Sequence, residues 1–205
     1  GNYKTPIMVI HNPLTLPIEY NPKKFNVSCP VILHIGIKEN KNLERLILAL
    51  NLIHCQLVII GEPKEKQIRL LNENKISFEV KSNLSNEQMI KEYKNCDLVS
   101  FISTYEGFGL PIIEAQACGR PVLTSNLSSM PEVAGNGAVL VNPFSIVDIR
   151  GGLIKIISNQ KFRNTLIKRG LIIPHKSLLH NHGLNGFLRV CHLFRHQLDK
   201  ESPPH

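Results

Sequence analysis

Two glutamates stand eight residues apart around a glycine-rich turn in the stretch STYEGFGLPIIEAQACGRPVLTS, residues 103–125. Glu106 opens the turn Gly107-Phe108-Gly109, and Glu114 follows it. Because glycine has no Cβ atom, the backbone amides of such a turn can approach a ligand closely. Carboxylates accept hydrogen bonds from hydroxyl groups. The spacing therefore indicates a ligand with phosphates in the middle and a sugar on either side.

A helix is predicted directly after this turn, over residues 110–118. Pro111 suits the first helical turn, where its missing N–H costs nothing, and Gly119 suits the position just past the end. The amino end of a helix carries free N–H groups and partial positive charge, so it can bind a phosphate. The alternative is that Glu114 only complements the helix dipole, worth roughly 0.3–1 kcal/mol, and that Glu106 is an ordinary loop acid.

A second candidate region is the basic loop in HIGIKENKNLERLILAL, residues 34–50. Gly36 ends a predicted strand, and Lys38 and Lys41 follow it before a predicted helix. Lysine ammonium groups act as point cations, so both can neutralise the charge of a diphosphate. The alternative is that the two lysines are solvated loop residues.

The elements that position these residues alternate along the chain. Short, mostly apolar runs predict strands at residues 7–10, 31–36, 57–61, 77–80, 98–102, 121–124 and 138–141. Amphipathic patterns predict helices at residues 43–53, 64–74, 86–95, 110–118 and 146–158. Alternation of this kind is typical of an α/β fold, a doubly wound Rossmann-like parallel sheet. Such sheets bind ligands beyond the carboxyl ends of their strands, which is where both candidate loops lie.

Composition limits the classes of function. The 205 residues carry a formal charge of +8, with 42% hydrophobic and 20% charged residues. The charge favours an anionic partner, but nucleic acid is not expected because the basic residues are scattered and tryptophan is absent. The most apolar stretch, residues 43–60, is interrupted by charged and polar residues, which argues against a membrane-spanning helix.

Cysteine and aspartate usage argues against metal and disulfide chemistry. The five cysteines form no C-x-x-C pair and are odd in number, which favours reduced thiols in the cytoplasm and makes a zinc site unexpected. The chain has only three aspartates, at positions 97, 148 and 199, and none forms an Asp-x-Asp pair. We therefore expect no metal and no cofactor.

The final 35 residues differ in character from the rest. Residues 171–205 contain six of the nine histidines and show no clear periodicity. The sequence thus predicts one domain over residues 1–170, followed by an atypical His-rich tail, partly disordered or packed irregularly. A metal site at His180 and His182 is not expected, because no carboxylate lies nearby in the sequence.

The central stretch resembles the retaining family-4 glycosyltransferases of the GT-B architecture. Residues 106–115, EGFGLPIIEA, match the family pattern E-G-F-G-L-P-x-x-E-A throughout. Residues 119–122, 130–137 and 141–143 are also similar, although Asn142 stands where an aspartate is more usual. Two further departures are Ile37, where an arginine is common, and the absence after Leu171 of the family's aromatic-bearing segment. The resemblance covers roughly residues 11–170.

The resemblance implies a role for each matching residue. Glu114 would bind the ribose hydroxyls of a nucleotide-sugar donor, and Glu106 would contact the donor sugar. The remaining donor-binding positions are Gly36, Lys38, Lys41, the main chain of Gly107, Phe108 and Gly109, and the amides around Leu110, which would hold the diphosphate. The catalytic residues would be Glu106 and Lys41, and the loop at residues 80–84 would lie near the base.

The implied reaction is transfer of a sugar from a nucleotide-diphosphate sugar to an acceptor hydroxyl with retention of configuration. The chain would be the C-terminal, donor-binding half, and a missing N-terminal domain would bind the acceptor, so the isolated chain would bind a donor without turnover. The implied setting is glycan, lipopolysaccharide or capsule biosynthesis with a glycan or lipid-linked acceptor, in the cytoplasm at the inner face of the membrane. The alternatives are a non-catalytic nucleotide-sugar-binding module and a sugar-nucleotide epimerase of related fold.

Overall fold

The computed structural model of the protein describes residues 15–182, with side chains described over residues 15–172. Strands and helices alternate along this part of the chain. The strands are β1 (Val31–Ile35), β2 (Gln56–Ile60), β3 (Ser77–Lys81), β4 (Leu98–Phe101), β5 (Val122–Ser125) and β6 (Ala138–Val141). The helices are α1 (Leu43–Leu50), α2 (Glu65–Glu73), α3 (Asn86–Asn95), α4 (Leu110–Ala117), α5 (Met130–Ala134), α6 (Ile146–Ser158) and α7 (Gln160–His182), with a 3-10 turn at Glu39–Lys41 before α1.

The strands of the described region form one parallel sheet in the order β3-β2-β1-β4-β5-β6. In its centre, Leu33 of β1 lies beside Val58 of β2 on one side and Val99 of β4 on the other. The order reverses between β1 and β4, since the chain builds outward first to one edge and then to the other. This confirms the predicted doubly wound α/β fold.

Helices cover both faces of the sheet, because consecutive apolar residues of the central strands point to opposite sides. Ile32 packs in a core cluster with the buried face of α1, which includes Leu46. Leu33 packs in a second cluster with Ile112 of α4 and Tyr93 of α3. Helices therefore cover both faces of the sheet, and the loops lie at the ends of the strands.

The predicted elements within the described region are confirmed, with small shifts at their ends. The strands agree to within one residue at each end, and α3 and α6 agree fully. The helix predicted at residues 43–53 ends three residues earlier, at Leu50, because the chain turns through a positive φ of 71° at Leu52. Helix α5 and the full length of α7 were not predicted, and the strand predicted at residues 7–10 lies outside the described residues.

The last helix passes through the predicted start of the His-rich tail. Helix α7 continues to His182, beyond the predicted boundary at residue 171. The side chains of His180 and His182 lie outside the described residues, and the division into domain and tail stays a prediction. Among the helices of the described region, none has both the length and the apolar content to cross a membrane.

His34 is a titratable side chain in the buried centre of the sheet. Its ring is 1% exposed, and Nδ1 lies 3.2 Å from the carbonyl oxygen of Ser100, while Nε2 has no hydrogen-bond partner among the described residues. Burial lowers the pKa of His34 to about 4. The carbonyl of Ser100 and the charge of Glu44 act in the opposite direction, and the charge of Lys41 lowers the pKa further.

We expect acid to destabilise the fold through His34. The folded chain keeps this ring neutral, whereas the unfolded chain protonates it near pH 6.5, so the free energy of unfolding falls as the pH drops from about 6.5 to about 4. The fully developed effect is about 3 kcal/mol, and nothing is lost above the unfolded pKa. Urea denaturation near pH 7 and near pH 4.5 measures it. A His34→Leu variant with the same pH slope as the wild type would assign the acid sensitivity to other groups.

Candidate functional site

The loops after β1 and β4 meet at the carboxyl edge of the sheet, at the point where the strand order reverses. The amide of Thr104 donates to the carbonyl of Asn40 at 2.8 Å, and the Asn40 side chain donates to the carbonyl of Tyr105 at 3.1 Å. Adjacent loops diverge from such a reversal point and leave a crevice, which is where open α/β sheets bind ligands. Both sequence-predicted loops are therefore brought to one place.

An ion pair joins these two loops. Lys41 Nζ lies 2.5 Å from Glu106 Oε1, and the Asn40 side chain donates to the same oxygen at 3.2 Å. The side chains of Lys41 and Glu106 are 21% and 16% exposed, so the pair is partly shielded yet open to solvent on one side. The ammonium also lies 4.7 Å from the centroid of the Phe101 ring. The site thus presents one cation and one carboxylate side by side.

Gly36 is required for the path of the Lys41 side chain. Its φ is +92°, which side-chain-bearing residues rarely adopt, and a Cβ added there would lie 3.0 Å from Lys41 Cγ and 3.1 Å from Cε. The lysine stem therefore crosses directly over the end of β1, where only a glycine leaves room. This accounts for the Gly36 position in the predicted site.

Asn42 holds three loops of this edge together. It is 2% exposed with a left-handed φ of 64°, and its side-chain amide donates to the carbonyls of Ile102 (3.2 Å) and Pro143 (2.7 Å). Arg45 Nη1 donates to its Oδ1 at 2.9 Å. Asparagine tolerates this backbone conformation better than most residues. The loops after β1, β4 and β6 are consequently fixed relative to one another.

The glycine turn leads into α4 as the sequence predicts. Gly109 has a φ of +111° and precedes the helix, Pro111 stands in its first turn, and no side chain caps the amino end. The turn is held from behind, because Ser128 Oγ donates to the carbonyl of Glu106 (2.7 Å) and Ser129 Oγ to that of Phe108 (2.7 Å). An uncapped amino end of this kind is a binding site for an anion such as phosphate.

Glu114 lies on α4 and is held by two hydroxyl groups. It is 6% exposed; Tyr93 donates its hydroxyl to Oε2 at 2.7 Å, and Thr15 donates to Oε1 at 2.8 Å. Burial, together with the charge of Glu114, raises the pKa of Tyr93 well above its usual value, so its hydroxyl stays protonated and donates. Glu106 and Glu114 are therefore held by separate groups, and the idea that they contact the two sugars of one ligand stays a prediction.

Removing the Tyr93 hydroxyl tests this contact. We expect Tyr93→Phe to lower the free energy of unfolding by roughly 1–3 kcal/mol, because Glu114 loses a donor inside the protein. The matched control is Thr15→Val, which removes the other donor from an exposed residue and is expected to cost less than about 0.5 kcal/mol. Urea denaturation measures the free energy of unfolding of both variants. Equal decreases would mean that the buried hydrogen bond from Tyr93 stabilises the fold no more than the one from Thr15.

The structure separates the two predicted lysines and adds residues that the sequence did not suggest. Lys41 is paired, whereas Lys38 is exposed and forms no ion pair with any described residue. Asn40, Asn42 and Tyr93 were missed. Asn42 adjoins the predicted Lys41, and an asparagine directly before a helix was a usable signal. Nothing in the sequence links Tyr93 to a helix 21 residues away.

Within the part of the chain that the structure describes, no group of three or more His, Cys, Asp or Glu side chains is placed to hold a metal ion.

A family model and a curated relative both match most of this chain. The family described as "Glycosyl transferases group 1" matches residues 20–171. The serotype-specific mannosyltransferase WbdA of Escherichia coli is 32% identical over 159 residues, which is 70% of this chain and 19% of WbdA. The chain thus spans about a fifth of that relative's length.

Two solved structures show the same fold. Sucrose-phosphate synthase from Thermosynechococcus elongatus superposes with a TM-score of 0.71 at 22% identity, covering 94% of this chain and 52% of that one. The C-terminal domain of the group 1 glycosyl transferase LpcC from Francisella tularensis gives a TM-score of 0.62 at 24% identity, covering 78% of this chain and 95% of that domain.

Proposed function

Because this chain belongs to the glycosyl transferases group 1 family, we propose that it is the donor-binding half of a retaining family-4 glycosyltransferase. In this proposal a sugar moves from a nucleotide-diphosphate sugar to an acceptor hydroxyl with its anomeric configuration kept. WbdA and LpcC are both named as transferases, which does not favour a sugar-nucleotide epimerase or a non-catalytic binding module.

The observation that carries the proposal is the Lys41–Glu106 pair next to the uncapped amino end of α4. When the donor sugar leaves, negative charge grows on the diphosphate and positive charge grows on the sugar ring. The Lys41 ammonium and the α4 amides would stabilise the first charge, which is electrostatic catalysis. The Glu106 carboxylate, 2.5 Å from that ammonium, would position the sugar or stabilise its cationic centre.

Glu114 supports binding of a ribose by the contacts that it already makes. Its two oxygens accept from two hydroxyl groups, one on the buried Tyr93 and one on the exposed Thr15. A ribose hydroxyl can take the place of the Thr15 hydroxyl with the same geometry, since both are alcohol donors. Tyr93 would stay in place and orient the carboxylate. The two acids would then contact the two ends of one donor.

The donor is proposed to carry mannose, because WbdA is a mannosyltransferase. A second domain, N-terminal to this one, would bind the acceptor and close over the carboxyl edge of the sheet. Two findings support this division: the chain covers only 19% of WbdA, and it covers 95% of a solved C-terminal domain. The product would be a cell-surface glycan, built on a lipid-linked acceptor at the cytoplasmic face of the membrane, where the net charge of +8 favours anionic lipid.

Calorimetric titration of the chain with GDP, UDP, GDP-mannose and UDP-glucose tests the proposal. We expect one nucleotide and its sugar to bind at a single site, and no sugar to be released to water or transferred by the chain alone. Glu114→Ala is the matched variant. If no nucleotide binds, or if wild type and Glu114→Ala bind identically, the donor-binding assignment is wrong.

A further inference from the structure

A cavity lies at the amino ends of the strands, at the opposite end of the sheet from the candidate functional site. It has a volume of about 250 Å³ and adjoins Asp97 and Pro121, which directly precede β4 and β5. We call it the basal pocket; the residues that the argument uses are Lys23, Lys24, Asp97, Arg120, Arg163 and Asn164. The reaction proposed above makes no use of this edge of the sheet.

The charge of the basal pocket is strongly unbalanced. Its lining includes four cationic side chains but a single carboxylate, that of Asp97. Asp97 is 2% exposed and already accepts from the backbone amides of Asn26 (3.1 Å) and Val31 (2.8 Å), and it pairs with Lys23 at 2.9 Å. Asp97 therefore forms an ion pair with Lys23, and its charge also acts on Arg163, so that one carboxylate faces four cations.

The guanidinium groups of Arg120 and Arg163 differ in how many of their hydrogen-bond donors already have an acceptor. Arg120 is saturated, since its guanidinium donates to the carbonyls of Tyr93 (2.9 Å), Lys94 (2.8 Å) and Asn21 (2.8 Å). The donors of Arg163 are only partly used, although this residue is only 4% exposed. Its Nη1 donates to two carbonyls at the end of α6, whereas Nε and Nη2 have no hydrogen-bond acceptor among the described residues.

Arg163 is buried and forms no ion pair with any described carboxylate, although Asp97 lines the same pocket. The Arg163 guanidinium stacks on the Phe25 ring at 4.1 Å from the centroid. Burial lowers the pKa of Arg163, and the charge of Asp97 acts in the opposite direction. A cation that is largely buried is stabilised when an anion approaches its remaining donors. Lys24, exposed at the pocket mouth, has no ion pair in the described region either.

The pocket also receives the amino end of α7. This helix begins at Gln160 with no acidic residue in its first turn, and both Gln160 and Asn164 line the pocket with amide side chains. Asn159 caps this end, since its Oδ1 accepts from the amide of Phe162 at 2.9 Å, and the positive end of the helix dipole adds to the charges of Arg163 and Lys24. Helix end, buried arginine and cavity all favour the same kind of ligand.

We propose that the basal pocket binds a small phosphate-bearing anion, with Arg163 as its buried cation and Lys24 as a second cation at the mouth. The Gln160 and Asn164 amides supply further donors. A volume of about 250 Å³ suits a phosphomonoester or a diphosphate and is small for a whole nucleotide sugar. The ligand is either a free phosphorylated metabolite or the headgroup of an anionic lipid. This proposal does not depend on the transfer reaction.

Pyrophosphate titration of the ¹⁵N-labelled full chain, followed by NMR, tests the site. We expect saturable amide shifts at Gln160, Arg163 and Asn164. Lys24→Glu should weaken this binding about ten-fold or more. The matched control is Lys161→Glu, which makes the same charge change on the exposed side of the same helix and should change the affinity less than about two-fold.

The same titration separates this site from the donor site. Lys41→Met should leave the shifts at Gln160 and Asn164 unchanged, because Lys41 lies at the other end of the sheet. Absence of saturable shifts at these amides, or equal weakening by both glutamate variants, would overturn the proposal. Sedimentation with phosphatidate vesicles then identifies the source: association lost in Lys24→Glu but kept in Lys161→Glu indicates a lipid headgroup, and pyrophosphate binding without vesicle association indicates a free phosphate.

Discussion

Lys41→Met is expected to weaken the binding of a nucleoside diphosphate by roughly 30-fold to several-thousand-fold, which corresponds to about 2–5 kcal/mol. The methionine keeps an apolar stem of similar length, so packing over Gly36 and against Phe101 is largely preserved. What is lost is the ammonium beside the proposed diphosphate. In addition, the half-buried Glu106 carboxylate is left without its partner at 2.5 Å and repels the phosphates. Calorimetric titration measures the change.

Lys38→Met is the matched control for this prediction. It makes the same substitution three residues away, on an exposed side chain without an ion pair in the described region, and should cost less than about 1 kcal/mol. The loss at Lys41 should also shrink when the ligand is a nucleoside without phosphates. Equal losses for the two lysine variants, or an undiminished loss with the nucleoside, would show that Lys41 does not contact the diphosphate.

Glu114→Ala is expected to weaken the binding of a ribonucleoside diphosphate by about 100-fold or more, since hydrogen bonds to a charged group contribute roughly 1.5–3 kcal/mol each. Binding of the 2′,3′-dideoxy analogue should change far less, because that ligand has no ribose hydroxyls to donate. The variant should also be less stable, because the Tyr93 hydroxyl is left buried without its acceptor at 2.7 Å. Calorimetric titration with both ligands gives the ratio.

Comparing the two ligands distinguishes a loss of ribose recognition from a folding defect of the Glu114→Ala variant. A partly unfolded variant loses affinity for both ligands by the same factor, so only the ratio between them reports ribose recognition. Tyr93→Phe should show a smaller change in the same direction, because the carboxylate remains but is less well oriented. If Glu114→Ala binds both ligands with the same loss, Glu114 does not contact the ribose, and its role is confined to holding α3 against α4.

Much of the fold is readable from the sequence because strand and helix patterns are local. Continuous apolar runs in β1 and β4 predict strands buried on both faces, and these strands are confirmed within one residue. The short helix α5 was missed since five residues are too few to show a helical period. Helix α1 ends early because Leu52 takes a positive φ, a conformation that a leucine in the sequence does not predict.

The candidate site divides in the same way. Glycines in the turn before α4, Pro111 in its first turn and Lys41 before α1 are local signals, and the structure places them at one edge of the sheet. Their partners are not local. Asn42 bonds to Pro143 across 101 residues, and the contact between Lys41 and Glu106 spans 65. Only the parallel order of β1 beside β4 brings such positions together.

The sequence by itself determined an α/β chain with a glycine turn, an uncapped helix and acids at a set spacing, since each of these depends on neighbouring residues. Tertiary structure alone decided that Glu114 is held by Tyr93, that Glu106 is paired with Lys41, and that Arg163 is buried in a pocket at the opposite end of the sheet. Hydrogen bonds require their two heavy atoms to lie within about 3 Å of each other. Their partners therefore depend on strand order and helix packing, which no local pattern encodes.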